Sequence, residues 1–291
     1  MFEPRTFPSS GFKVGPLGLG SSYGLGAAGV ERAFDRGVSF FLWGSRRRSA
    51  FGEGLRNLAR DGGRRERMMI AVQSYTRMAS LMEWSVDRAL RELRTDYVDV
   101  LTLAWWNGVP PERIVDAAVR IREKGKARHL MVSCHHRPTF ERFIADRTFD
   151  ALMVRYNAAH PGAEREVFPH FVDRRPGVVA FTATRWGTLL DRAYVPASEP
   201  LPRASDCYRF ALSNPNVDVC LAGPKDETEL DEALLAVERG PLDAEEMAWM
   251  RRVGAGVRAA TSKPRRVSAL DFFDRLARFS PCAAKQLSSG A

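Results

Sequence analysis

Apolar residues recur along this chain in two alternating rhythms, one of period two and one of helical spacing. In the stretch Gly37–Arg48 (GVSFFLWGSRRR), Val38, Phe40 and Leu42 alternate with Ser39, Phe41 and Trp43. This reads as a short, largely buried strand that Gly44 and Ser45 break. A helical stretch, Ala27 to Arg36, precedes it and is closed by Gly37, where a helix C-cap glycine belongs. The unit of helix, glycine, strand and polar loop then repeats. Leu17–Gly20 is the first core strand, Arg67–Gln73 the third, Val98–Ala104 the fourth and Ala127–Ser133 the fifth. Ala151–Val154, Gly177–Phe181 and Val217–Leu221 complete the series. Helices are predicted near Ala50–Arg60, from a Ser80-x-x-Glu83 capping box to Leu93, and from Pro110-Pro111 to Lys124-Gly125. Further helices are predicted over Pro138–Asp146, Ala163–Asp173, Ser205–Leu212 and Asp226–Glu238.

Eight nearly all-apolar strands alternating with helices predict an α/β fold, a closed parallel (β/α)8 TIM barrel. A doubly wound open sheet explains eight units less well, and no G-x-G-x-x-G follows the first strand. Arg5–Val14, with its Pro8-Ser9-Ser10-Gly11 centre, reads as a hairpin capping one end of the barrel. Beyond the eighth unit, Asp243–Val257 is another helical pattern. The barrel is therefore assigned to residues 1–260. Residues 261–291 form a basic C-terminal extension with a short amphipathic helix, its Ala269–Phe279 part carrying Leu270, Phe273 and Ala277 on one side.

Composition adds exclusions. No apolar run approaches the roughly 18 residues of a membrane span, and MFEPRTFPSS has no apolar core of a signal peptide. The cysteines (Cys134, Cys207, Cys220, Cys282) are scattered without a C-x-x-C pair, which fits a reducing cytoplasm and argues against zinc or iron–sulfur. The net charge of +9 resembles a nucleic-acid signal, but only six of the 44 basic residues are lysines, and the arginines are spread throughout. No nucleic-acid partner is expected. A small-molecule ligand is, bound by a monomer or weak homo-oligomer.

LGLGSS, AFDRGVSFF, ALRELRTDYVDVLTL, EKGKARHLMVS, RYNAAHPGAEREVFP and LSNPNVDVCLAGPKDETELDEAL, in that order over about residues 5–255, resemble the aldo/keto reductase superfamily. The resemblance implies a (β/α)8 barrel that binds NADP(H) at the C-terminal ends of its strands and reduces aldehydes or ketones. It also implies a catalytic tetrad of aspartate, tyrosine, lysine and histidine. A tyrosine hydroxyl donates the proton, lysine and aspartate lower its pKa, and histidine orients the carbonyl. At the matching positions stand Leu42, Arg47, Gln73 and Ala104. Of the carboxamide-binding set, Ser133 stays while Cys134 and Met153 replace the asparagine and glutamine. Phe181 matches the aromatic that stacks on nicotinamide. At the adenine end Lys225 and Glu232 match, but Glu229 replaces an arginine and Ala233 an asparagine. The expected cofactor-binding residues are thus Ser133, Phe181, Lys225 and Glu232.

The same strand ends carry a different chemistry. Trp43, Arg47, Gln73, Trp105, Arg155, Asn157 and His160 are candidates for substrate binding, since Trp and Arg build rigid, cationic, stacking pockets. Arg185 and Trp186 lie on the same face. Tyr75, His135 and His136 are the candidate acid/base groups. Arg47, five residues beyond Leu42, cannot act as a general acid near neutral pH but can hold a carboxylate or phosphate in a bidentate fork. No carboxylate accompanies His135, His136 and His160 at ligand spacing, so no metal site is expected. Two function classes remain. One is an enzyme, an NADP(H)-linked oxidoreductase on a small polar or anionic substrate or a barrel repurposed for proton transfer. The other is a non-catalytic NADP- or ligand-binding pseudoenzyme.

Overall fold

A computed structural model of the chain describes residues 1–262 apart from Ser9 and Ser45. Of the basic C-terminal extension expected over residues 261–291, residues 261–262 end the last helix and the rest, with its amphipathic helix, lies outside the described residues. A two-stranded antiparallel hairpin, β1 (Arg5–Thr6) and β2 (Lys13–Val14), precedes the barrel. The barrel strands are β3 (Leu17–Gly20), β4 (Phe40–Trp43), β5 (Met69–Ser74), β6 (Val98–Trp106), β7 (Ala127–Cys134), β8 (Ala151–Arg155), β9 (Gly177–Phe181) and β10 (Val219–Ala222). They pair in chain order, all parallel, and β10 closes the ring by pairing with β3. The helices are α1 (Ala27–Asp35), α2 (Ser49–Ala59), α3 (Gly62–Glu66), α4 (Ala79–Leu93), α5 (Glu112–Glu123), α6 (Phe140–Ala145), α7 (Ala163–Glu166), α8 (Ala204–Leu212), α9 (Glu227–Arg239) and α10 (Ala244–Ser262).

Alternation along each strand splits the apolar residues into two layers. Phe40, Leu42, Met69, Ala71, Val100, Met131, Met153, Val179 and Val219 fill the barrel, with Phe7 and Val14 of the hairpin closing its N-terminal end. Phe41, Trp43, Ile70, Val72, Leu101, Leu103, Val132 and Val154 face outward into the helices. Phe7 is fully buried and reaches Phe40 with ring centroids 6.4 Å apart.

The helix ends show why the glycines stand where they do. Gly37, at φ +92°, lets its own N–H bond to the Phe34 carbonyl and the Val38 N–H to that of Ala33, both at 2.9 Å. This is the Schellman arrangement, which satisfies carbonyls left open at a helix terminus. Two local readings are corrected. Ser80 and Glu83 form no capping box: α4 starts at Ala79 with Met78 at the cap and no side-chain cap bond, and Glu83 is held by Lys124 and Lys126 at 2.7 and 2.8 Å. The helix expected over 163–173 is broken into α7 and a 3-10 turn at Phe168–His170, since Pro169 cannot donate the bond that would continue it.

α10 buries Met250, Val253 and Val257 and crosses the C-terminal face. Its Gly254 lies so close to the loop after β8 that a Cβ there would come within 2.1 Å of the Ala158 carbonyl oxygen. The last helix thus clamps part of the barrel mouth.

Candidate functional site

A cleft of about 740 Å³ opens at the C-terminal ends of the strands, where ligands bind in this architecture. Leu42, Gln73, Trp105, Ser133, His135, Met153 and Phe181 line its inner part. Tyr23, Trp186, Leu190, Tyr208, Glu229 and Glu232 line the arm that runs out towards α9. Six of the residues expected from sequence line it: Gln73, Trp105, Ser133, His135, Phe181 and Glu232.

On the β4–β6 side the arginine that reaches the mouth is paired with a carboxylate, while Ser74 Oγ and Trp106 Nε1 at the strand ends are buried without a hydrogen-bond partner. Gln73 is 4% exposed, and its amide lies over Gly44, where any Cβ would meet Gln73 Oε1 at 2.1 Å. The Tyr75 hydroxyl donates to that same oxygen, and Tyr75 packs edge-on against Trp105 at 5.3 Å. Gln73 Nε2 approaches Met153 Sδ at 3.7 Å. Arg47 does reach this side of the mouth, with Nη2 3.5 Å from the Gln73 carbonyl. Its other end faces Glu92 of α4, Nη1 to Oε2 at 3.4 Å. Burial lowers its pKa and Glu92 opposes that. The stacking role expected of Trp43 is corrected: the side chain points outward, is 2% exposed, stacks on Phe51 and donates to Glu92 at 3.3 Å. It shares the parity of Phe41, not of Leu42, so the helices cover it. Ala104 is fully buried.

The β7–β9 side is built differently. His135 meets Phe181 edge-on at 5.7 Å, and its pKa is lowered by burial and then by the Arg155 charge. His136 faces away from the cleft, with Nδ1 2.9 Å from Thr139 Oγ1. Asn157 is fully buried and acts as a strut: Nδ2 donates to the Thr182 carbonyl at 2.8 Å and Oδ1 accepts from the His160 N–H at 2.9 Å. Contact with a substrate is therefore not its role. His160 is pushed down to about 4, by burial first and then by Arg155, Arg185, Arg258 and Arg137.

Backbone strain gathers around the mouth, once at the end of β6 and three times in the loop after β9. Non-glycine residues with positive φ are rare, above all β-branched or bulky ones. Trp105 (+59°), Thr182 (+59°), Arg185 (+51°) and Trp186 (+52°) all adopt it. Trp105 and Trp186 are also 59% and 65% exposed, so the cleft is flanked by two open indole faces.

The outer arm is acidic. Glu232 accepts from the Ser205 N–H and hydroxyl at 3.1 and 2.6 Å and pairs with Arg203. Lys225 is exposed and does not line the cleft; its Nζ is tied to Glu229 Oε1 at 2.6 Å. Asp226 caps α9 by accepting from the Glu229 N–H at 2.9 Å. Protein carboxylates thus already occupy this lysine and these helix N-termini, where a phosphate would otherwise find donors.

A nicotinamide dinucleotide therefore fits in part. Ser133, 1% exposed at the cleft floor, and the Phe181 ring suit the carboxamide and the flat ring. At the far end Glu229 and Glu232 suit ribose hydroxyls better than a 2′-phosphate. Among the described residues no group of three His, Cys, Asp or Glu side chains could hold a metal ion. No described helix is long and apolar enough to cross a membrane.

The family model of the aldo/keto reductase family matches residues 27–203. The chain belongs to that family. Its fold is similar to the holo form of the aldo-keto reductase AKR11C1 from Bacillus halodurans, with TM-score 0.70 and 19% identity over 87% of this chain and 96% of that one. It is equally similar to an aldo/keto reductase from Klebsiella pneumoniae in complex with NADP and acetate, with TM-score 0.72, 19% identity and the same coverage. A putative 2,5-diketo-D-gluconic acid reductase B superposes with TM-score 0.66 at 22% identity, over 86% and 91% of the two chains.

Sequence reasoning missed Tyr23, Leu190 and Tyr208. Tyr23 was findable, since it stands two residues past the first strand's Ser21. Tyr208 gave no signal, because helical periodicity places it in α8 without saying that this helix borders the cleft.

Proposed function

We propose that the protein is an oxidoreductase that binds a nicotinamide dinucleotide, NADP(H) or its unphosphorylated counterpart, and acts on a small polar or anionic substrate without the family's tetrad. The carrying observation is the single cleft that runs from Leu42, Gln73 and His135, past Ser133 and Phe181, to Glu229 and Glu232. Ser133 and Phe181 would hold the nicotinamide, and Glu232 the adenosine end. When bound, such a group supplies or accepts a hydride. Gln73, oriented by the Tyr75 hydroxyl, offers an amide N–H to a substrate oxygen. His135 is the proton-handling group of this reading. With its pKa below the ordinary histidine value it is neutral at pH 7, so it accepts a proton from an alcohol or donates a hydrogen bond to a carbonyl.

Replacement of all four tetrad positions by Leu42, Arg47, Gln73 and Ala104 favours a second reading, a pseudoenzyme that binds the same ligands without turnover. Titration with NADPH and NADH, followed by quenching of Trp105 and Trp186, tests both. Saturable quenching is expected, and no response to either dinucleotide at millimolar concentration would overturn both readings. Hydride exchange between the bound dinucleotide and an added carbonyl compound then separates enzyme from pseudoenzyme.

A further inference from the structure

Arg155 ends β8 opposite Phe181 in the strand register and shares the parity of Met153, which lines the cleft. Its register therefore turns it towards the mouth, where it stands beside the cleft-lining His135 and Phe181, although neither it nor Arg185 is itself among the residues that line the cleft. It is half-buried, and its Nε is shut off from solvent without a hydrogen-bond partner. Among the described residues no carboxylate pairs with it. Its charged neighbours are Arg137 and Arg185, and burial together with both of them lowers its pKa, with nothing acting the other way. Arg47 differs at this point, because Glu92 offsets its burial.

The surrounding cations are fixed by contacts that leave Arg155 alone. Arg137 is tied to Glu166 at 2.9 Å. Arg185 is anchored to α10, Nη1 lying 2.6 Å from Thr261 Oγ1 and 3.4 Å from the Val257 carbonyl. That single nitrogen leaves the rest of its fork free. His160, neutral at pH 7, stands among them. A buried guanidinium set against like charges destabilises a fold unless something compensates. The strained backbone at Thr182, Arg185 and Trp186 points the same way, because strain of this kind persists at functional sites.

We propose that Arg155, with Arg185 beside it, is an oxyanion anchor on the β8–β9 rim, next to the cleft. The substrate is then a small organic acid whose carboxylate or phosphate group sits on the β8–β9 rim, with its apolar part against Phe181, Trp105 and Trp186. This adds a substrate class to the oxidoreductase reading, and the anion site itself does not require the dinucleotide. A guanidinium matches either group with two parallel N–H bonds.

The test uses the full chain and four probes: benzoate, phenyl phosphate, benzamide as a neutral control, and NADPH. Tryptophan quenching and thermal denaturation are read at matched ionic strength. Benzoate or phenyl phosphate should quench saturably and raise the melting temperature while benzamide does neither, and the tighter of the two names the head group. Arg155→Gln should weaken that binding by about tenfold or more, the scale of one charge-assisted hydrogen bond. The ligand-free variant should melt no lower than the parent, because a like-charge contact is relieved; a purely structural arginine would do the opposite. Arg155→Lys, which keeps the charge without the fork, should fall between, and it decides the matter if the glutamine variant does not fold.

Absence of any oxyanion-specific response in the parent chain would overturn the inference. So would unchanged affinity in Arg155→Gln, or loss in Arg47→Gln instead. If NADPH and benzoate compete and Arg155→Gln loses both, the arginines serve the dinucleotide's phosphates and the inference falls. If the parent binds oxyanions through Arg155 but no dinucleotide, the inference stands and the oxidoreductase reading falls.

Discussion

The two sides of the barrel mouth answer the same problem in opposite ways. On the β4–β6 side the charges are matched: Arg47 and Arg88 converge on Glu92, at 3.4 and 2.9 Å, and Trp43 donates to the same carboxylate. Leu42 and Ala104 are apolar, and the irregularity there is the register shift of β6 between Leu103 and Trp106, around Trp105. On the β8–β9 side no carboxylate among the described residues pairs with Arg155, two histidines are held neutral, and three of the five positive-φ non-glycine residues among those described lie between Thr182 and Trp186. A region whose charges are matched by its own contacts has no unpaired charge to offer a ligand. One that keeps unmatched charge and strain is held for a partner the chain does not itself contain.

The largest expected effect concerns the matched side. The intact chain should show no more than trace NADPH-dependent reduction of generic aldehydes, since loss of general acid catalysis alone is worth about 10²–10⁴-fold. Absorbance at the reduced nicotinamide band measures it. Robust turnover that survives replacement of His135 but not Tyr75→Phe would mean that the Tyr75 hydroxyl supplies the proton and that the matched side is the reactive one. Gly254→Ala comes next, because its methyl group would strike the Ala158 carbonyl and push α10 off the strained rim. Overpacking of this kind costs about 1–3 kcal/mol. Urea denaturation should record the loss, together with weaker oxyanion binding, and a variant as stable as the parent would show that α10 does not hold the rim.

A smaller effect is set by pH. The folded pKa of His160, about 4, lies below the ordinary histidine value, so the unfolded chain takes up the proton first as pH falls. Stability should therefore drop as pH falls from about 6.5 towards 4, with a slope of no more than one proton. His160→Gln should flatten that slope in denaturation midpoints measured across the window, and an unaltered slope would remove the cationic rim from the explanation. The smallest effect is that of Arg47→Ala, since partly exposed ion pairs contribute only about 0–1 kcal/mol and Glu92 keeps Arg88. A loss well beyond that in thermal denaturation would show that the matched side depends on Arg47 more than its geometry implies.

Much of the fold was legible because its signals are local. The alternation in Phe40–Trp43 and the glycine at 37 depend only on a few neighbouring residues, and the barrel follows from repeating that unit. The misread helix over 163–173 yields to a local fact as well, since Pro169 stood in the sequence. The capping box at Ser80 failed for a less local reason, because Glu83 is drawn to Lys124 and Lys126 on a neighbouring segment.

The sequence by itself determined the strand–helix rhythm, the family, the set of residues at the strand ends and the absence of the tetrad. Which of those residues face the cleft, and which of them are already satisfied, only the tertiary structure decided. Arg47 and Arg155 are both arginines at strand ends, and spacing cannot separate them. Glu92, 45 residues downstream of Arg47, folds back on α4 to meet it, while no carboxylate among the described residues returns to Arg155. Charge compensation is a pairwise property in space, so it is written only when the chain closes on itself.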